Sequence, residues 1–187
     1  MFGVGVVGEN WEWNDLIINV GLDGGSGSVG SRGGIKLQPA NPPGVTSGLP
    51  ITMHLFNNTV LNAGAVGATG SGALYIGTGG WTPDIHNNIF AQLSGFPYIG
   101  PASPAMSPDG NPAHWSNNLW YGAGAAPAGD SNAVNADPKL VSAVSPYDLH
   151  LQATSPAIGS GVNMKQRNAS SGVQTIGSPR NTRSIAR

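Results

Sequence analysis

The sequence predicts an all-β fold, a solenoid of about five coils whose short parallel strands stack on one another. The first observation is an Asn-Asn pair that recurs every 30 residues, at Asn57-Asn58, Asn87-Asn88 and Asn117-Asn118. The second is that short apolar stretches flank each pair. The third is that no window of about a dozen residues shows helical apolar spacing without an interrupting Gly or Pro.

Asparagine suits the corner of a coil for two physical reasons. Its side chain tolerates the left-handed backbone of a sharp bend. Stacked Asn side chains also hydrogen-bond from one layer to the next. We therefore expect an Asn ladder along one corner, with Asn57, Asn87 and Asn117 in register.

The strands follow in order along the chain. Glycine-led apolar segments at 34–37, 73–76 and 96–99 each precede an Asn-Asn strand, which predicts two or three short strands per coil. Segment 15–20 is an earlier, looser copy with Asn19 at its corner, 38 residues before Asn57.

The pattern changes after Tyr121. Residues 122–129 form a linker of small residues, and two terminal strands with a closing turn follow up to residue 161. The domain prediction is a parallel β-helix over 1–161 and a C-terminal tail over 162–187. The apolar segment 3–8 shows no capping helix, so we expect it to continue a longer chain or to pair with another subunit.

Composition excludes several function classes. Charged residues make up 9% of the chain and the net charge is -1, which gives no electrostatic case for binding nucleic acid or an anionic membrane. Cys is absent, so the fold uses no disulfide and no thiolate metal site. No apolar run reaches the length of a membrane span. Residues 1–8 lack the basic start and long apolar core of a signal peptide.

Two segments carry a resemblance to a known family. The Ile-x-Asn-Asn-x-aromatic element at 85–90 resembles the right-handed parallel β-helix proteins of the pectate-lyase-like superfamily, and the segment 136–161 is similar to the closing element of secreted bacterial members. The resemblance covers residues 15–161. It implies a secreted or cell-surface protein that binds or processes a polysaccharide, with a polysaccharide lyase as the enzyme form. The alternative is a non-catalytic structural or adhesive β-solenoid, such as a cell-surface or phage tailspike module.

Strand alternation predicts which side chains share a face. Leu55, Ile85 and Trp115, each two residues before an Asn-Asn pair, should face the core. The residues three before each pair, His54, Asp84 and His114, then form an outward column. The residues one before each pair, Phe56, His86 and Ser116, form the neighbouring column.

The candidate catalytic residues are those of the outward face, namely His54, Asp84, His86 and His114, with Lys36 as the best basic residue. Two imidazoles and a carboxylate are ligands for a divalent metal, and a carboxylate beside a His also orients a general base. An ordinary polar outer face explains the same pattern. The sequence does not assign metal ligands.

Aromatic residues are candidates for stacking on sugar rings. The substrate-binding candidates are Tyr75, Trp81 and Trp120, and Trp11 and Trp13 are further candidates. Ca²⁺ is the cofactor that a lyase of this kind would use, although Glu9, Glu12 and Asp15 are the only close acidic group. The expected partner is a polysaccharide.

Overall fold

The computed structural model describes residues 2–5, 8–22, 33–39, 51–64, 72–76, 81–93, 95–99 and 114–163. Every regular element in this part of the chain is a β-strand. The strands form three parallel sheets and one antiparallel hairpin. The described residues include no helix with the length and apolarity that a membrane crossing requires.

The three parallel sheets are named A, B and C. Sheet A contains β1 (Phe2–Gly5), β4 (Gly33–Pro39) and β7 (Gly72–Ile76). Sheet B contains β2 (Gly8–Trp13), β5 (Ile51–Phe56), β8 (Trp81–His86) and β10 (His114–Ser116). Sheet C contains β3 (Leu16–Ile18), β6 (Thr59–Leu61), β9 (Ile89–Ala91), β11 (Leu119–Tyr121) and β12 (Val134–Asn135).

The sheets are built from one recurring order of strands. From β1 to β9, a strand of sheet A is followed by one of sheet B and one of sheet C, and each pairs in parallel with its equivalent in the next repeat. Strands β10 and β11 then extend sheets B and C. This arrangement is compatible with a β-solenoid. The predictions of an all-β chain, of parallel strands and of a hydrogen-bonded Asn ladder are confirmed. The antiparallel hairpin of β13 (Leu140–Ser142) and β14 (Asp148–Leu151) departs from the parallel pattern.

Alternation places the core where the sequence predicted it. Leu55, Ile85 and Trp115 align across β5, β8 and β10, and all three are buried. After the corner, Phe90 and Trp120 point into the same cluster. Each fully buried aliphatic side chain contributes about 1.5–3 kcal/mol through removal of apolar surface from water.

The Asn corner adopts the expected backbone. Asn57, Asn87 and Asn117 have φ values of 56, 59 and 58°, in the left-handed region. The side-chain ladder, however, runs through the second Asn of each pair. Asn58 donates its amide to Asn88 at 3.0 Å, and Asn88 donates in turn to Asn118 at 2.9 Å.

The prediction for the earliest copy is wrong in its register. Trp13 pairs with Phe56 and Leu16 pairs with Thr59, so the equivalent of Asn57-Asn58 is Asn14-Asp15. The backbone N–H of Asp15 donates to the Asn58 side chain at 2.9 Å. Asn19 lies instead at a second left-handed corner, the equivalent of Asn62. The error arose because Asp15 stands where the later repeats have their second Asn, so the pair was not recognised. Asn14 still forms the left-handed bend.

The C-terminal segment packs across the parallel sheets. Leu140, Leu149 and Ala157 form a second buried cluster against Ile89 and Leu119, on the outer face of sheet C. The C-terminal segment therefore covers the outer face of sheet C at β6, β9 and β11, whereas Leu16 of β3 stays 53% exposed. The hairpin is the pair of terminal strands that the sequence predicted.

Asn87 and Asn117, each the first Asn of its pair, hydrogen-bond to the end of the described chain. Asn87 accepts a hydrogen bond from the Val162 N–H at 2.8 Å and donates to its carbonyl at 2.9 Å. Asn117 donates to the Ser160 carbonyl at 2.7 Å. Most of the predicted tail, from residue 164 onward, lies outside the described residues.

Candidate functional site

The outward face of sheet B carries two rows of side chains that cross all four strands. Strand register sets the first row as Trp11, His54, Asp84 and His114. The same register sets the second row as Trp13, Phe56, His86 and Ser116. Equivalent residues of neighbouring strands lie about 4.8 Å apart, so side chains of both rows can meet.

A hydrogen-bonded chain links four of these side chains. The Nδ1 atom of His54 lies 2.9 Å from one carboxylate oxygen of Asp84. The other oxygen of Asp84 contacts Nε2 of His86. The Nδ1 atom of His86 lies 2.6 Å from Oγ of Ser116. The chain therefore joins β5, β8 and β10.

The charge of Asp84 determines the direction of these hydrogen bonds. Partial burial would raise the pKa of Asp84, but the hydrogen bonds and charges of His86 and His54 outweigh it and lower the pKa. An ionised carboxylate only accepts hydrogen bonds, so both His rings donate to it. In neutral His86 the remaining Nδ1 is then the acceptor, and the Ser116 hydroxyl donates to it.

Aromatic rings pack against the hydrogen-bonded side chains on the side that faces β2. Trp11 stacks on His54 with ring centroids 3.9 Å apart, and Phe56 stacks on His86 at 5.6 Å. Trp11 and Trp13 are 43% and 48% exposed. These two indoles form an accessible aromatic surface beside the polar chain.

Two side chains of the outward face, His54 and Phe56, are buried. His54 is 2% exposed and Phe56 is also buried, although neither belongs to the interior core clusters. Trp11 covers one face of the His54 ring, and Asp84 contacts its edge. Alternation sets the direction of a side chain, whereas its exposure depends on its neighbours in the row.

The other predicted catalytic residues lie apart from this chain. His114 is exposed on β10 and is aligned with Asp84, but no hydrogen bond joins the two in the described part of the protein. Lys36 lies on β4 in sheet A, paired with Tyr75 of β7. It therefore belongs to a different sheet from the imidazoles, and its side chain lies outside the described residues.

The predicted sugar-stacking residues are also dispersed. Tyr75 is half-buried in sheet A, and the side chain of Trp81 lies outside the described residues. Trp120 is fully buried, stacks on Phe90 at 4.4 Å and donates to Asp130 at 2.6 Å. It therefore has no face open to a sugar. The bend at the Asn corner resets the alternation, which turns Trp120 inward and Leu119 outward.

The described residues contain no group of His, Asp and Glu arranged to hold a metal ion. Both oxygens of Asp84 are engaged by imidazoles. Glu12 of β2 and Asp15 interact with each other. Burial, followed by a hydrogen bond and repulsion from Asp15, raises the pKa of Glu12.

Sequence reasoning did not select Ser116 as a functional residue. It placed Ser116 in the outward column with His86 but ranked only acidic, basic and aromatic residues. The available signal was the shared column itself, since Ser116 follows His86 by one repeat of 30 residues. Asp130, which accepts hydrogen bonds from Asn118 and Trp120, lay outside the repeat and had no such signal.

Comparison of the chain with family models, with curated proteins and with solved structures found no match. Function is therefore inferred from the side chains on the outward face of sheet B.

Proposed function

We propose that the outward face of sheet B binds a polysaccharide and that the Asp84–His86 pair acts on it by acid–base chemistry. The proposal includes the finer fold assignment, a right-handed parallel β-helix of about five coils that resembles the pectate-lyase-like superfamily. The observation that carries it is the placement of two exposed indoles beside a hydrogen-bonded His–Asp–His–Ser chain.

The shape of the face suits an extended ligand. Each row crosses four strands, a span of about 14 Å at a strand spacing of about 4.8 Å. Trp11 and Trp13 offer aromatic surface at one end, where the apolar face of a sugar ring can stack. Sheet C offers a shorter open surface, because the C-terminal segment covers its outer face at β6, β9 and β11.

The proposed chemistry uses His86 as the proton acceptor. Asp84 accepts from Nε2–H of His86, so Nδ1 is the basic atom. The nearby carboxylate stabilises the imidazolium that forms when Nδ1 takes a proton. In a lyase, that proton would come from the carbon next to a uronic-acid carboxylate. Ca²⁺ would neutralise the carboxylate of the substrate, which motivates its inclusion in the assay.

The test is a lyase assay on a panel of uronic-acid polymers, with and without added Ca²⁺, read as absorbance of the unsaturated product. We expect His86→Ala to abolish product formation and Trp11→Ala to weaken binding in affinity electrophoresis. His150→Ala is a matched control, because His150 forms a similar pair with Asp148 on the exposed hairpin. Equal activity in the His86→Ala and His150→Ala variants would overturn the acid–base role.

The competing proposal is a structural or adhesive β-solenoid without chemistry. It is favoured by the hydrogen bonds that Asp84 accepts from His54 and His86. The bond from His54 joins two neighbouring strands. The competing proposal predicts no product with or without Ca²⁺, together with a loss of stability in Asp84→Ala. Both proposals place the protein outside the cell, in secreted form or at the cell surface.

A further inference from the structure

We propose that Ser116 is the nucleophile of a site that hydrolyses carboxylic esters, with acyl groups carried by a polysaccharide as the substrate class. The polysaccharide part rests on the proposed function, whereas the ester chemistry rests on Ser116, His86 and Asp84 alone. The three side chains form one continuous chain of hydrogen bonds on the outward face of sheet B.

A serine hydroxyl becomes a useful nucleophile when a base accepts its proton and a third group orients that base. Ser116 Oγ lies 2.6 Å from Nδ1 of His86, and the opposite nitrogen of that ring contacts Asp84. Asp84 is an acceptor only, so the ring must present its lone pair to Ser116. The hydrogen-bond directions are therefore those that nucleophilic catalysis requires.

Two features distinguish this arrangement from an ordinary polar surface. His54 donates to the second oxygen of Asp84 and is itself buried, so the carboxylate is held from both sides. Phe56 stacks on His86 and restricts the tilt of its ring. By contrast, His150 beside Asp148 has an exposed ring, and no serine hydroxyl is hydrogen-bonded to it in the described residues.

Ser116 is partly exposed to solvent. It lies on β10, at the edge of sheet B. Its equivalent on the next repeat is Ser131, reached through a single bridge. The Ser131 hydroxyl donates to the Trp115 carbonyl at 3.0 Å and has no imidazole partner in the described residues. The two serines therefore occupy equivalent positions, but only the Ser116 hydroxyl is hydrogen-bonded to an imidazole in the described residues.

The reaction balances with water as the second reactant. Ser116 Oγ forms a bond to the ester carbonyl carbon while its proton moves to Nδ1 of His86. The bond from that carbon to the alcohol oxygen then breaks, and the alcohol leaves with the proton from Nδ1. Water attacks the acyl-serine ester, gives one proton to Nδ1 and forms the carboxylic acid. Nδ1 returns the proton to Ser116 Oγ as the acyl bond breaks.

The experiment treats the whole chain with a fluorophosphonate probe and locates the adduct by mass spectrometry of peptides. Hydrolysis of p-nitrophenyl acetate is measured in parallel. We expect an adduct on Ser116, its loss in Ser116→Ala, and a loss of about 100-fold or more in ester hydrolysis in His86→Ala. Ser131→Ala should retain both labelling and hydrolysis.

An adduct absent from Ser116 in the wild-type protein would overturn the proposal, and this result does not depend on whether any variant folds. Labelling that is unchanged in His86→Ala would overturn the role of the imidazole as the base. Binding of uronic-acid polymers without an adduct would remove the nucleophile and leave the proposed function. An adduct without polysaccharide binding would remove the proposed function and leave the ester chemistry.

Discussion

Asn118 donates its side-chain amide to the carboxylate of Asp130 at 3.0 Å, and this contact ends the amide ladder. The register of Leu119 with Val134 places Ala133 opposite Asn118 in the next repeat. Alanine has no amide to continue the ladder, and Asp130 supplies the missing acceptor from outside the repeat. The corner is thus closed by a residue that the 30-residue pattern does not contain.

Removing a central amide of the ladder should be costly. Asn88 is fully buried, accepts from the side chain and backbone N–H of Asn58, and donates to Leu55, His86 and Asn118. Asn88→Ala leaves several of these groups without a partner, at about 1–3 kcal/mol each. We expect the free energy of unfolding in urea to fall by more than about 3 kcal/mol.

A control variant at the same corner distinguishes the contribution of the amide ladder to stability from that of the left-handed backbone. Asn57 has a φ of 56°, which glycine accepts without strain, and its side chain is not part of the amide ladder. Asn57→Gly should therefore lower the free energy of unfolding by only about 1 kcal/mol. A cost for Asn57→Gly as large as that for Asn88→Ala would contradict the ladder as the source of stability.

Replacement of Asp130 should give a pH-dependent change in stability. Burial raises the pKa of Asp130 above its ordinary value of 3.8, and the hydrogen bonds from Trp120 and Asn118 only partly oppose this. A raised pKa in the folded state gives stability that is complete below pH 3.8 and is lost as pH rises through the folded pKa. Asp130→Asn keeps an acceptor and does not ionise. Relative to wild type, this variant should therefore gain stability as pH rises from 3.5 to 7, measured by urea unfolding at each pH.

Asp84→Asn should show the opposite dependence in the same buffers. Although burial acts to raise it, the pKa of Asp84 is lowered below 3.8 by His86 and His54. A lowered pKa gives stability that is present above pH 3.8 and is lost as pH falls through the folded value. The advantage of wild type over Asp84→Asn should therefore be largest near neutral pH and shrink in acid. The same pH trend for Asp84→Asn and Asp130→Asn would contradict the different environments of the two carboxyls.

Two glycines test the close approach of neighbouring repeats. Gly122 and Gly124 have φ values of +96 and +94°, but only at Gly122 would an added Cβ meet the backbone, 2.5 Å from the Gln92 carbonyl oxygen. Gly124→Ala should cost about 1–2 kcal/mol for the left-handed backbone. Gly122→Ala should cost at least about 1 kcal/mol more, because the backbone of the adjacent repeat must shift. Equal unfolding midpoints for the two variants would show that the repeats can separate at this point.

The sequence by itself determined the features that depend on local preference and on alternation. Asn at a fixed spacing predicted left-handed corners, since Asn tolerates this backbone better than most residues. Alternation along a strand predicted Leu55, Ile85 and Trp115 as core and placed His54 and Asp84 on one outward face. These properties are decided within a few residues of the chain, so they can be predicted without its three-dimensional path.

Only the tertiary structure decided which outward side chains touch and which are covered. His86 meets Ser116 across 30 residues, and His54 is buried under a Trp11 that lies 43 residues earlier. The inward turn of Trp120 and the closure of the ladder by Asp130 likewise depend on the path after each corner. The physical reason is that hydrogen bonds and burial depend on distances between strands. Strand register and packing determine these distances, and the local sequence does not encode them.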